Sequence, residues 1–190
     1  SRFFIPDGRL NNVDVVDMGA RGVFAVASDR NDPAVAKLRI YRLDTAAARL
    51  IPLGPVDGGK GEAYGVCAWA NRGALHAISV LKDGTVEEFR IEIDGETARS
   101  VPIITRKLAT QAEGCVVDPR SGTLYVAEED VGIWRFAKGQ ARGRLVARVN
   151  NKQLFADAEG LAILPHGTKG GYLVASSQGD NAYALYRLPT

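Results

Sequence analysis

Residues 113–136 read EGCVVDPRSGTLYVAEEDVGIWRF, and this stretch decides the fold class. An apolar segment opens on Glu-Gly, a polar turn with Pro and Gly follows, and a second apolar segment ends in the acidic run AEED. Short segments rich in Val, Ile and Tyr between such turns are typical of β-strands. The stretch therefore predicts a succession of short strands and an all-β fold.

The same pattern recurs on both sides of this stretch. YGVCAWANRGALHAISVLKDGTVEEFRIEI begins at Tyr64 and EGLAILPHGTKGGYLVASSQGDNAYALYRL begins at Glu159, so the starts are separated by 49 and 46 residues (64 to 113 and 113 to 159). An earlier unit contains VDVVDM, GVFAVASD, LRIYRLD and RLIPLG. Repeats of this length with four strands each predict the blades of a β-propeller.

The repeats predict one partial propeller domain over residues 1–190, with three whole blades and most of a fourth. The blades are expected at approximately 9–56, 62–108, 113–150 and 159–190. No segment shows the 3.6-residue periodicity of an amphipathic helix.

Composition excludes several classes of protein. Of the 190 residues, 46% are hydrophobic and 24% are charged, which is typical of a globular domain. The 24 basic and 22 acidic residues are spread along the chain, so no basic stripe predicts a nucleic-acid or membrane-surface partner. No apolar run reaches the roughly 18 residues of a membrane span.

The two cysteines and two histidines are expected to be structural. Cys67 and Cys115 lie in apolar segments and are expected to be small buried residues, with a disulfide between them as the alternative. His76 lies in a strand-like segment and His166 in a turn. No motif of a histidine phosphatase, a cysteine phosphatase or a serine hydrolase is present in the sequence.

The first residues of the inner strands form a ring of oxygen donors. Tyr64, Glu113 and Glu159 are each followed by Gly and should converge on the central channel. Carboxylate and phenol oxygens without His or Cys suit a hard cation such as Ca²⁺. The alternative is that the glutamates open their strands as turn residues and that Tyr64 packs in the core.

A second ring lies at the ends of the second strands. It contains Arg30, Lys82, Glu128, Glu129, Asp130 and Gln178. Arginine and lysine bind phosphate oxygens directly, while an acidic cluster binds a metal that bridges to them. Each of these residues, taken singly, is also compatible with an ordinary surface charge.

Several segments resemble the β-propeller phytases, which are calcium-dependent. TQAEGCVVD (110–118), LYVAEEDVGIWRF (124–136), DAEGLAI (157–163) and GGYLVASSQGDNAYALYRL (170–188) are similar to that family's signature stretches, in order and spacing. GRLNNVDV (8–15), VASDR (26–30), EAYG (62–65) and LKDGTVEEF (81–89) are also similar.

The resemblance implies a six-bladed propeller with several Ca²⁺ ions at one end. It implies calcium ligands at Tyr64, Glu113, Glu129 and Glu159, and phosphate-binding cations at Arg30 and Lys82. The three glutamates and the two cations would be catalytic: a metal-activated water would attack phosphorus in phytate (myo-inositol hexakisphosphate) while the cations stabilise the added charge.

The resemblance also implies a secreted or periplasmic protein. The family's first blade and its C-terminal aspartate-rich stretch have no counterpart in these residues, so a chain with half of the site is expected. Two alternatives remain open: a non-catalytic propeller fragment that binds calcium or anionic ligands, and a lactonase-like propeller enzyme that does not need Arg30 and Lys82. Open blade edges predict self-association.

Overall fold

The computed structural model describes residues 4–190, which form fifteen β-strands and two short 3-10 turns. Residues 1–3 of the predicted domain lie outside this range. The strands are β1 (Leu10–Asp17), β2 (Val23–Asp29), β3 (Val35–Asp44), β4 (Arg49–Lys60), β5 (Ala63–Asn71), β6 (Ala74–Leu81), β7 (Thr85–Asp94), β8 (Thr97–Lys107), β9 (Ala112–Asp118), β10 (Thr123–Glu128), β11 (Gly132–Phe136), β12 (Gly143–Arg148), β13 (Ala158–His166), β14 (Gly170–Ser177) and β15 (Ala182–Leu188).

The strands pair with their sequence neighbours in four antiparallel sheets. Blade 1 is β1–β4, blade 2 is β5–β8, blade 3 is β9–β12 and blade 4 is β13–β15. The first strands of successive blades lie side by side, with β5 between β1 and β9, and β9 between β5 and β13. Radially arranged meanders with their first strands innermost form a β-propeller, so the predicted fold is confirmed.

Most of the core lies between the blades. An extended apolar cluster lies between each pair of adjacent blades. In these clusters Leu38 packs toward blade 2, Val80 toward blade 3 and Tyr125 toward blade 4. The second strands of blades 2 and 3 have neighbours on both faces and are buried along almost their whole length. In blade 4, by contrast, alternate residues of β14 are buried, because only one face of that blade is covered.

The expectation of two separate buried thiols was wrong. Cys67 in β5 and Cys115 in β9 form a disulfide with a Cα–Cα distance of 5.7 Å and a sequence separation of 48 residues. That separation is close to one repeat, so it places the two residues beside each other on adjacent inner strands. The sequence places each cysteine in an apolar strand, but the pairing depends on the neighbouring blades.

Charged groups inside the blades are paired. In blade 2 the buried Glu88 accepts a hydrogen bond from Arg106 Nη2 at 3.0 Å and lies 3.2 Å from His76 Nδ1. Burial alone would raise the pKa of Glu88, but hydrogen bonds from His76 and Arg106 outweigh it and lower that pKa.

Among residues 4–190 no helix has the length and apolar content needed to cross a bilayer.

Candidate metal and phosphate site

A repeated local motif places the first ring of side chains. In blades 2, 3 and 4 the inner strand begins with a fully buried alanine, at Ala63, Ala112 and Ala158. The next residue is Tyr64, Glu113 or Glu159, which is half-buried. Because successive side chains of a strand point to opposite faces, the buried alanine turns its neighbour away from the core.

β-Bulges coincide with these positions. The register between first and second strand shifts between Ala63 and Gly65 in blade 2, and between Ala158 and Leu161 in blade 4. An extra residue in a strand bends it and re-aims a side chain, and bulges are common beside active sites. The local geometry therefore presents the tyrosine and glutamates at one end of the channel.

The glycines after Tyr64 and Glu113 permit close contact between blades. A Cβ at Gly65 would lie 1.8 Å from the carbonyl oxygen of Glu113, and a Cβ at Gly114 would lie 1.8 Å from that of Glu159. At Gly160 the nearest atom is Ser176 Oγ at 3.7 Å. The Gly of one blade thus receives the backbone of the next blade's glutamate, which fixes the ring.

The predicted carboxylates are brought to the same end of the propeller and are held by amide groups. Glu113 Oε1 accepts hydrogen bonds from Asn11 and Asn12 at 3.1 and 2.8 Å. Gln111 Nε2 lies 2.8 and 2.7 Å from the two carboxylate oxygens of Glu129. In residues 4–190 none of the ion pairs includes a ring glutamate.

The electrostatic environment of the ring favours a cation. Burial, and then the negative charges of Glu113, Glu129 and Asp157, raise the pKa of Glu159, while a 2.9 Å hydrogen bond from Gln178 lowers it. Burial likewise raises the pKa of Glu129, again with repulsion from neighbouring carboxylates. A positive ion would remove this repulsion.

The phenol of Tyr64 connects the ring to the two predicted phosphate-binding cations. Burial, and then the charges of Glu113 and Glu129, raise the pKa of Tyr64 to about 12, so it is neutral at pH 7. The guanidinium carbon of Arg30 lies 4.8 Å from the centre of the tyrosine ring, and Lys82 Nζ lies 5.6 Å from it. These contacts place both cations on the carboxylate side of the channel.

Glu62 holds the two cations together, and sequence reasoning did not select it. Arg30 Nε donates to Glu62 Oε1 at 2.9 Å, and Lys82 Nζ lies 3.9 Å from Glu62 Oε2. The hydrogen bond from Arg30, followed by its charge and that of Lys82, lowers the pKa of Glu62 despite some desolvation. The sequence did offer one indication of this role, because Glu62 directly precedes Ala63, the first residue of the repeated inner-strand motif.

The acidic and amide residues of the second ring have different roles. Glu128 is fully buried and accepts hydrogen bonds from Thr110 and from Trp134 Nε1, the latter at 2.7 Å, so it is a structural residue of blade 3. Glu129 faces the channel, and Asp130 acts on it through its charge. Gln178 belongs to the site through its hydrogen bond to Glu159.

The donor set fits a hard cation better than a soft one. Carboxylates, side-chain amides and a phenol supply only oxygen ligands at this end of the described channel, and calcium prefers such ligands. As they stand, no three His, Cys, Asp or Glu side chains within residues 4–190 are close enough together to hold one ion. Three of these carboxylates could therefore share one ion only after their side chains move closer together.

Comparisons with known proteins agree with this architecture. The family model described as Phytase matches residues 2–189. The curated protein named 3-phytase from Bacillus subtilis (strain 168) is 36% identical over 195 aligned residues, which cover 94% of this chain and 50% of that protein. The chain thus spans about half the length of this curated relative. Because the family match extends over nearly the whole chain, the chain belongs to the phytase family.

Proposed function

We propose that this protein is a calcium-dependent phosphomonoester hydrolase that releases phosphate from phytate. The observation that carries the proposal is the juxtaposition of the carboxylate ring with a cation pair through Tyr64. A highly phosphorylated substrate needs both kinds of group, since its oxygens bind cations and bridge to metals. The name of the 36% identical relative supports the same reaction.

Calcium is the proposed metal, with Tyr64, Glu113, Glu129 and Glu159 as its ligands. Burial, together with repulsion from neighbouring carboxylates, raises the pKa of Glu129 and Glu159, and this repulsion supports a cation at this position. When bound, calcium would neutralise phosphate oxygens and acidify a water molecule for attack on phosphorus. Asp157 is a further candidate ligand because its charge acts on both Glu129 and Glu159.

The chain's own cations would bind and orient the phosphate group. Arg30 and Lys82 both lie over Tyr64 and share Glu62 as their counter-ion. A phosphate dianion can replace part of this contact with Glu62, because guanidinium forms paired hydrogen bonds with phosphate. Both cations would then stabilise the negative charge that increases as water attacks.

The test of this role is a lysine substitution with a matched control. Lys82→Ala should lower kcat/KM for phytate by about 10- to 100-fold, as expected for one charge-assisted hydrogen bond. Lys37→Ala is the control, because the two lysine side chains are 44% and 43% exposed and each has one carboxylate partner. Equal activity of the two variants would contradict the assignment.

A non-catalytic role in binding calcium or anions is the second candidate. The absence of a ready three-carboxylate group within residues 4–190 favours it. It predicts that calcium raises the melting temperature while no phosphate is released from phytate. A lactonase-like activity is distinguished by the lysine test, since it would survive the loss of Lys82.

Secretion or export to the periplasm is the proposed localisation. The Cys67–Cys115 disulfide supports it, because disulfides persist in oxidising compartments and are rare in the cytosol. Thiol labelling of the protein purified from its native compartment tests this proposal. Two free thiols per chain would contradict it.

We also propose self-association through the uncovered blade faces. Val13 and Val15 of blade 1 are 65% and 58% exposed, and Tyr183 and Leu185 of blade 4 are 72% and 58% exposed. Apolar residues of this kind are buried where two blades meet elsewhere in the structure. Sedimentation velocity of the 190-residue chain should show oligomers, and Leu185→Lys should reduce them; a monomer at all concentrations would contradict the proposal.

A further inference from the structure

A second positively charged pocket lies between blades 3 and 4, at the end of the propeller away from the carboxylate ring. The turn between β9 and β10 and the turn between β13 and β14 form its walls, and its volume is about 230 Å³. Glu113 and Asp118 mark opposite ends of β9, and five strand residues span roughly 17 Å. The pocket is therefore a separate site from the one described above.

One wall of the pocket is fixed by a closed ion pair. Arg120 Nε and Nη2 each donate to the carboxylate of Asp118 at 2.8 Å. Its Nη1 donates to the carbonyl oxygens of Gly167 and Gly170, at 3.1 and 2.6 Å, and so connects blade 3 to blade 4. The charges of Asp118 and Arg120 cancel, and this wall is already arranged before any ligand binds.

The remaining charge of the pocket is positive. Arg135 and Lys169 line it, and neither takes part in an ion pair among the residues that the structure describes. Arg144 lies directly opposite Arg135 on the neighbouring strand β12, and directly opposed residues share one face of a sheet. Two arginines side by side repel each other unless an anion lies near them.

Arg135 also has a side-chain donor without a partner among the described residues. Its Nε atom is buried and has no hydrogen-bond partner among the described residues. Arg135 is directly opposite Tyr125 in the register of β10 and β11, and Tyr125 packs toward blade 4, so the guanidinium lies on the pocket face of blade 3. A buried donor without a partner is rare and needs an explanation.

The chemistry of the lining selects an oxyanion. Beside Arg135 and Lys169 the pocket is lined by Thr168 and by Ser121, whose hydroxyl group donates to Thr123 Oγ1 at 2.9 Å. A guanidinium, an ammonium and hydroxyl donors together are the groups that bind tetrahedral oxyanions. The volume is several times the roughly 30 Å³ of one water molecule, which leaves room for a small hydrated anion.

We propose that this pocket is a phosphate-class oxyanion site, formed by Arg135 and Lys169 between blades 3 and 4. The inference does not rest on the proposed function, because none of its residues belongs to the carboxylate ring or to the cation pair above Tyr64. Phosphate bound there would offset the repulsion between the charges of Arg135 and Arg144. It would also connect the two blades at the end opposite the catalytic candidates.

The experiment is a titration with inorganic phosphate, observed through the Arg135 Nε–H resonance of ¹⁵N-labelled protein. It is carried out in an Arg30→Ala/Lys82→Ala background at constant ionic strength, so that phosphate binding near Tyr64 cannot contribute. The proposal predicts a saturable shift of the Arg135 resonance. Lys169→Gln should weaken binding about tenfold, as expected for one charge-assisted hydrogen bond, and Lys169 is exposed, so folding is preserved.

The matched control is Arg187→Gln. Arg187 is an exposed arginine of blade 4 whose side chain lies on the opposite face of the sheet from Leu188, which packs toward blade 3. This variant should bind phosphate with unchanged affinity. No saturable shift, or equal weakening by Lys169→Gln and Arg187→Gln, would overturn the proposal.

Discussion

Replacing Gly114 by alanine should destabilise the protein, whereas the same change at Gly160 should not. A Cβ at Gly114 would lie 1.8 Å from the carbonyl oxygen of Glu159 and 2.6 Å from its carbonyl carbon, whereas real Cβ contacts are almost never shorter than 3.0 Å. The inner strand of blade 4 must therefore retreat by about 1.2 Å. Both contact atoms belong to the backbone, so no side-chain rotation can relieve the clash.

The magnitude follows from the cost of inserting a methyl group into a packed contact. Such insertions destabilise by about 1–3 kcal/mol when the backbone must shift. For a chain of 190 residues this corresponds to a melting temperature roughly 2–12 °C lower. At Gly160 the nearest atom is 3.7 Å away and φ lies outside the left-handed region, so alanine should stabilise by about 0.4–1 kcal/mol through the unfolded chain.

The assay is thermal unfolding of both variants, with and without calcium. Gly65→Ala provides a replicate, because its Cβ would lie 1.8 Å from the carbonyl oxygen of Glu113. Since the shift in Gly114→Ala moves Glu159, that variant should also gain less stability from calcium than the wild type. Equal melting temperatures of Gly114→Ala and Gly160→Ala would refute the argument that these glycines set the spacing of the ring.

Four further variants test separate parts of the structure. Replacing Cys67 and Cys115 by alanine should cost about 4 kcal/mol, because the disulfide closes a loop of 48 residues; urea unfolding measures it. Glu88→Gln should cost about 3 kcal/mol at pH 7, since it breaks a buried ion pair. Glu128→Gln should cost about 1–3 kcal/mol and keep the response to calcium, because Glu128 is buried and structural. Glu129→Gln should leave stability nearly unchanged and reduce that response.

The sign of the pH dependence at Glu88 follows from its lowered pKa. A carboxyl group whose pKa is lower in the folded protein stabilises it fully above the unfolded value of roughly 4.3. This contribution disappears as the pH falls through the folded pKa. The difference in stability between wild type and Glu88→Gln should therefore narrow below about pH 4.3; a difference that stays constant down to pH 3 or lower would contradict the assignment.

The cysteine variant and the two variants at Glu128 and Glu129 have their own controls. A reductant should lower the stability of the wild type, whose disulfide it breaks, but not that of the variant without cysteines. If the reductant affected both proteins equally, the lower stability of the variant would come from removal of the buried sulfur atoms alone and not from loss of the disulfide. Exchanged phenotypes of Glu128→Gln and Glu129→Gln would show that the two glutamates have been assigned to the wrong faces.

The propeller fold could be predicted from the sequence because the blades are repeats. A strand that is buried on both faces, such as β6, gives a continuous apolar run, and its recurrence at nearly constant spacing gives the period. The period also identifies equivalent positions, which is why Glu113 and Glu159 could be selected before their geometry was known.

The repeat period did not identify residues of the ring that are not carboxylates or phenols. Asn11 and Asn12 occupy the bulge of β1, which corresponds to the bulges of the other inner strands, and they bind Glu113. A search for carboxylates passes over them because they are amides. Glu62 was missed because its role depends on Arg30, 32 residues away in the sequence, and on Lys82.

The roles of Glu128 and Glu129 depend on strand register. Neighbouring residues at a strand end face opposite sides, so one of the two must point inward. The bulge between Val126 and Glu128 decides which one, and a single residue of slip would exchange them. The disulfide was only the alternative prediction for a related reason, because it joins equivalent strands of neighbouring blades rather than partners in one hairpin.

The most direct test of the central claim is phosphate release from myo-inositol hexakisphosphate by the 190-residue chain, with and without millimolar calcium, beside Glu159→Ala. We expect release that requires calcium and is abolished by the substitution. Release that is independent of calcium, or that persists in Glu159→Ala, would contradict it. No release in any sample, together with a higher melting temperature in calcium, would contradict catalysis by this chain and leave calcium binding as its function.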